Sequence, residues 1–147
     1  MTSGSRKSAK NPSSHPDAPS EVAPGVFVGG WKDAPRFEGM RFSVRDEGED
    51  DRSASAHIPV YDAGNDRAIR ENLDRVARAI EQARGEGKRV LVFCGHGIRR
   101  SPLAVAWYLH LAEGLSLEAA YARIRSARPA IEEAKEWIGD TSNLRSA

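Results

Sequence analysis

One stretch of the chain sets a nucleophile, a flexible loop and a fixed cation in consecutive order: Cys94-Gly95-His96-Gly97-Ile98-Arg99-Arg100-Ser101. Cys94 is the one cysteine among 147 residues, so neither an intrachain disulfide nor a cysteine-rich zinc site can be built around it. An apolar run, Val90-Leu91-Val92-Phe93, leads into it, and Ser101-Pro102 open a helical pattern behind it. A glycine-rich loop feeding a helix start converges successive backbone N–H groups and adds the positive end of the helix dipole, which makes an anion site. Gly95 and Gly97 give the loop the freedom to curl. Cations and helix N-termini favour thiolate over thiol. Arg100 carries the planar fork that grips two oxygens of a phosphate. Nucleophile, anion cradle and bidentate clamp together describe phosphoryl transfer through a cysteinyl-phosphate. The competing reading of the thiol alone is packing, since a buried cysteine at a strand end is ordinarily a small hydrophobe.

The apolar spacing predicts the elements that must hold this loop. Val26-Phe27-Val28 before Gly29-Gly30 reads as a short strand, Arg41 to Val44 as a second, and His57 to Val60 as a third. Ile69, Leu73, Val76, Ala77 and Ile80 fall at helical spacing, closed by Gly85 and Gly87. Val90 to Phe93 is continuous enough to be a central strand buried on both faces. The helix after Pro102 is apolar nearly all round through Leu111 and is expected to be buried. Ser116 is placed to N-cap a helix bearing Leu117, Ala120, Tyr121 and Ile124; Arg128-Pro129 ends it, and Ile131 to Ile138 reads as a last helix. Strand and helix alternate, which predicts an α/β domain with a central, mostly parallel sheet flanked by helices.

Composition limits the rest. Lys+Arg 22 against Asp+Glu 21 leaves a net charge of +1, so a polybasic nucleic-acid binder is excluded and nucleic acid is not the expected partner. The longest uncharged apolar run, Ser101 to Ala112, is far shorter than the roughly 20 residues a bilayer needs. No apolar signal segment stands at the N-terminus, and a chain without disulfides fits a reducing compartment, so no membrane association and a cytoplasmic location are expected. Residues 1–20 are poor in large apolar side chains and predict a disordered tail, leaving 21–147 as one domain, expected to be a monomer. His15, His57, His96 and His110 lack ligand spacing with any acidic cluster, so neither metal nor other cofactor is implied.

Cys94-x-x-Gly97-x-x-Arg100-Ser101 resembles the signature of the cysteine-based protein phosphatases, in their dual-specificity branch. Val26-Phe27-Val28-Gly29-Gly30 resembles that family's opening strand, Ile58-Pro59-Val60-x-Asp62 the strand and loop carrying its general acid, and Arg128-Pro129-Ala130-Ile131 its late Arg-Pro turn. The resemblance implies a protein-tyrosine-phosphatase-like fold and a phosphorylated protein or small phosphomonoester as substrate. In it, Cys94 is the nucleophile and Arg100 the clamp. The phosphate-binding loop comprises Gly95, His96, Gly97, Ile98, Arg99 and Arg100. Asp62, 32 positions before Cys94, is the general acid, and Ser101 donates to the sulfur. The sequence leaves open an Asx-turn role for Asp62, N-capping by Asp66, and N-capping of the Pro102 helix by Ser101. His96 and Arg99 are expected to splay outward, or, as extra cations, to favour a more anionic substrate such as a phosphoinositide, a nucleotide or an RNA 5′-phosphate. Trp107 is expected in the core and Trp137 against the domain. Phe93 stands where the family has His, which implies a slower or differently pH-dependent enzyme, with a phosphate-binding pseudophosphatase as the alternative.

Overall fold

A computed structural model describes residues 18–46 and 51–139; the expected tail up to residue 17, His15 included, lies outside the described residues. Its strands are β1 (Ser20–Ala23), β2 (Val26–Gly30), β3 (Met40–Ser43), β4 (Ala56–His57), β5 (Tyr61–Asp62), β6 (Arg67–Ala68) and β7 (Val90–Cys94). Its α-helices are α1 (Arg70–Gly85), α2 (Arg100–Glu113) and α3 (Leu117–Ala127), with 3-10 turns at Trp31–Arg36 and Lys135–Ile138.

Strand β7 lies in the middle of a five-stranded sheet ordered β1-β2-β7-β3-β4, parallel to β2 and β3; only the β1–β2 pairing is antiparallel. All five of its residues are buried, as a strand covered on both faces must be. The two-residue period of a strand sorts them. Val90, Val92 and Cys94 face the larger core, built with α1, α2 and α3. Leu91 and Phe93 face the other way, into a smaller cluster with Ala34 and Phe37. Helices therefore cover one face, and the turn Trp31–Arg36 with its neighbours covers part of the other. The fold is the α/β arrangement the sequence predicts.

Helix α1 buries Leu73, Val76, Ala77, Ile80 and Ala83, one stripe of an amphipathic helix. Helix α2 is buried at nine positions and leaves only Leu111 among its large apolar residues well exposed. Gly114 closes α2 in the left-handed conformation, φ 72°, and the Ser116 hydroxyl caps α3 by accepting the Ala119 N–H at 3.1 Å.

Four local expectations need correction. The strand expected over His57 to Val60 covers only Ala56–His57, because Pro59 has no N–H for a ladder; the chain then re-forms a separate hairpin, β5–β6. The last helix over Ile131 to Ile138 shrinks to the 3-10 turn Lys135–Ile138. Asp66 does not cap α1, whose N-cap is Ile69; it sits at φ 52° and accepts the Tyr61 hydroxyl at 2.6 Å. Ser101 does not cap α2 either, since the helix begins at Arg100 with Arg99 as N-cap. Strand β1 was not expected at all, and it takes in Ser20, the last residue of the expected tail. Trp107 is buried, and its indole N–H donates to Asp74 at 2.7 Å.

Leu103 in α2 is fully buried among these elements. Leu103→Ala should lower the free energy of unfolding by about 2–5 kcal/mol, read as a shift in the denaturant midpoint.

Candidate active site

The loop that joins β7 to α2 is held by its carbonyls. Gly95 O accepts the Trp31 N–H at 3.2 Å, and Ile98 O accepts the Glu132 N–H at 2.8 Å. Between them, His96 O and Gly97 O accept Arg128 Nη2 at 3.0 Å and Nε at 2.8 Å. Four consecutive carbonyls are thus tied to the body of the domain. In a planar trans peptide the N–H points opposite to its C=O. Tying these carbonyls outward therefore turns the N–H groups of His96, Gly97, Ile98 and Arg99 towards the inside of the loop. With the N-terminus of α2 behind them, the loop interior is an anion cradle.

Glycine is required where the curl is tightest. Gly97 has φ +71°, and a Cβ there would lie 2.7 Å from the carbonyl carbon and oxygen of Gly29. A Cβ on Gly30 would lie 2.8 Å from Gly95 O. The loop rests directly on the β2 backbone, which the parallel pairing of Gly30 with Cys94 brings alongside.

Cys94 ends β7 beneath this cradle. Its Sγ lies 3.4 Å from the Ser101 N–H and 3.3 Å from the Ser101 hydroxyl, so both can donate to the sulfur. The same hydroxyl lies 3.4 Å from Gly29 O, a second acceptor. A cavity of about 400 Å³ opens over the sulfur, lined by Cys94, Gly95, His96, Ile98, Arg99 and Arg100 of the loop, with Asp46, Tyr61, Glu132 and Trp137 around them. Arg100 reaches Asp46 Oδ1 with Nη1 at 3.1 Å. Tyr61 stacks on Trp137 with ring centroids 4.1 Å apart, giving the cavity an aromatic wall. The bond to Asp66 pushes the Tyr61 phenol pKa up, so the ring stays a neutral part of that wall.

Cys94, Arg100, Ser101 and the loop come together as the sequence spacing requires; Asp62 does not join them. Its Oδ1 accepts the Gly64 N–H at 3.0 Å and its Oδ2 the Asn65 side-chain amide at 2.7 Å, the Asx-turn arrangement. The Asn65 bond holds its carboxyl below the usual range. Asp62 lines a neighbouring cavity that shares Asp46 and Tyr61 with the first. Arg99, its side chain 37% exposed, lies 4.3 Å over the Trp137 ring and donates to Glu136 at 2.6 Å. Phe93 is buried in the smaller apolar cluster, so its ring holds the strand end by packing. Among the described residues no three His, Cys, Asp or Glu side chains are grouped to hold a metal ion. Among the same residues no helix is long and apolar enough to cross a membrane.

Two positions at the site were given no role in it from the sequence. Asp46 meets Arg100 at the cavity, and Arg128, read from the sequence as ending a helix and as part of the late Arg-Pro turn, is fully buried beneath the loop. A signal for the latter existed: Arg128 is flanked by Ala127, Pro129, Ala130 and Ile131, apolar company for a solvent-facing arginine.

Residues 42–144 match the family model of the dual specificity phosphatase catalytic domain. The chain belongs to that family. Rat dual specificity protein phosphatase 12 is 30% identical over 132 residues, 80% of this chain and 39% of its own length. Human dual specificity phosphatase 28 is 34% identical over 79 residues, 54% of this chain and 44% of its own. The chain thus spans less than half the length of these curated relatives. The crystal structure of human DUSP28 superposes with a TM-score of 0.68 at 24% identity, covering 81% of this chain and 91% of that one, a likeness of fold.

Replacing Arg128 by Ala removes a buried cation and strands the carbonyls of His96 and Gly97. The variant should lose about 3 kcal/mol or more in denaturant unfolding. It should also bind vanadate, a phosphate mimic, more weakly in titration calorimetry.

Proposed function

We propose that the chain hydrolyses phosphomonoesters, phosphotyrosine foremost, through a cysteinyl-phosphate. The observation that carries this reading is the pairing of Cys94 Sγ with both donors of Ser101 beneath a loop whose four carbonyls are tied outward. A packing cysteine needs neither the donors nor the inverted loop. The aromatic wall of Tyr61 and Trp137 supports an aryl ester over an aliphatic one.

In this reading the Cys94 thiolate attacks phosphorus, a P–S bond forms, and the P–O bond to the leaving group breaks. Loop N–H groups and the Arg100 fork hold the three non-bridging oxygens, whose charge grows in the transition state. Arg100 exchanges the Asp46 carboxylate for the phosphate as its partner. Asp62 gives its proton to the leaving oxygen and, as carboxylate, takes one from the water that then attacks phosphorus. The P–S bond breaks, phosphate leaves, and the Ser101 hydroxyl donates to the departing sulfur. For this role Asp62 must exchange its contacts with Gly64 and Asn65 for the leaving group.

A vanadate-sensitive assay on 4-nitrophenyl phosphate tests the scheme. Cys94→Ser should abolish turnover, and wild type no faster than Cys94→Ser would sink the proposal. Asp62→Asn should lower kcat by about 10²–10⁴-fold. Asp62→Asn as active as wild type, with Asp46→Asn or Asp66→Asn crippled, would move the acid role to that residue.

The pH profile adds a second test. A general acid works only while protonated, so the rate falls as pH rises through its pKa. The Asn65 amide holds the Asp62 pKa down. Asn65→Ala should therefore raise it in the free enzyme, where that contact is made, and move the falling limb of the kcat/KM profile to higher pH; an unmoved limb would argue against Asp62 as the acid.

A further inference from the structure

The charges around the Cys94 cavity bear on which substrates enter it. Its cradle holds two guanidinium groups, and both already face carboxylates. Arg100 meets Asp46 at 3.1 Å, while Arg99 donates to Glu136 at 2.6 Å and lies 3.9 Å from Glu132. Arg99 is further fixed by the Trp137 face, 4.3 Å away, which keeps its charge against the last 3-10 turn. Glu132 lines the cavity with its side chain 68% exposed, so it stands at the mouth where the groups next to a bound phosphate must lie; Glu136, 64% exposed, adds a second carboxylate beside it through the shared Arg99. Among the described residues, three carboxylates thus face two guanidinium groups. The positive field that holds phosphate is confined to the loop interior, and the rim around it is negative.

A rim of this sign acts on the parts of a substrate beside its phosphate. Neighbouring positive charges are drawn to Glu132 and Glu136, and further anionic groups are repelled. We infer that Glu132 and Glu136 select phosphotyrosine segments whose flanking residues are basic, and turn away phosphoesters that carry additional negative charge. This rests on the phosphatase reading above and gives that same site a substrate preference. It also bears on the expectation that Arg99 would favour a more anionic substrate: paired with two glutamates, Arg99 offers no second phosphate an open cation.

The test uses three phosphotyrosine peptides that differ only in the residues flanking the phosphotyrosine, Lys, Ala or Glu. Wild type should rank them Lys over Ala over Glu in kcat/KM. Exposed pairs interact weakly, so lysine and glutamate flanks should differ by roughly fivefold. The spread should shrink between about 0.05 and 0.5 M salt, as screening requires. Glu132→Lys should reverse the order and Glu132→Gln should narrow it, a change in ratio that a merely structural role of Glu132 would not produce. Two controls separate this inference from the phosphatase reading: turnover of 4-nitrophenyl phosphate, and binding of the same peptides to Cys94→Ser by fluorescence anisotropy. If 4-nitrophenyl phosphate is turned over while the three peptides agree within about twofold at low salt, the rim inference is overturned and the phosphatase reading stands. If 4-nitrophenyl phosphate is untouched, the phosphatase reading falls, and the binding order then decides the rim alone: Lys over Ala over Glu supports it, a flat order overturns it.

Discussion

The buried guanidinium of Arg128 is the interaction on which the site depends. It reaches His96 O and Gly97 O on one side and the hydroxyl of Ser20 and the carbonyl of Ala18 on the other. One side chain thus pins the loop between β7 and α2 to the first strand, more than a hundred residues away in the chain. A desolvated cation is costly unless its donors are satisfied. Here the planar fork distributes them over several oxygens at once, which a lysine could not do. Because a peptide carbonyl turned one way turns its neighbouring amide the other, an arginine outside the cradle sets the direction of the donors within it.

The near-neutral composition says little about this local field. The charges that matter are ordered in layers: Arg128 beneath the loop, inward amides and Arg100 within it, and carboxylates of Asp46 and Glu132 at the opening, with Glu136 beside them on Arg99. Each layer is supplied by a different part of the chain. The cradle is one contiguous stretch, whereas the surroundings come from the end of β3, the β5–β6 hairpin and the last 3-10 turn.

That difference explains what could be read from the sequence. The Cys94–Ser101 stretch was legible because a strand, a glycine loop and a helix start are local features whose spacing carries their geometry. The strands β2, β3 and β7 and the helices α1 to α3 were legible for the same reason, since periodicity reports a buried face. Arg128 beneath the loop and Asp46 opposite Arg100 were not, because each acquires its partner only through tertiary contact. Strand β1 is four residues, Ser-Glu-Val-Ala, too short for an alternation to register, and its pairing with β2 is what makes it a strand. The 32-position interval marks Asp62 but does not say which way its carboxylate turns, and the nearby Asn65 amide holds it in its own turn.

The contact of Gly97 with Gly29, and of Gly30 with Gly95, has a bearing on how such a protein can diverge. Where main chain rests on main chain, there is no side chain to enlarge, shrink or recharge, so substitution has almost nothing to work on. The rim is the opposite case: the side chains of Glu132, Glu136 and Asp46 take no part in that contact, so exchanging them leaves it in place. Heritable variation in such a molecule is therefore channelled outward, and new preferences can arise around an opening whose loop is seated main chain on main chain.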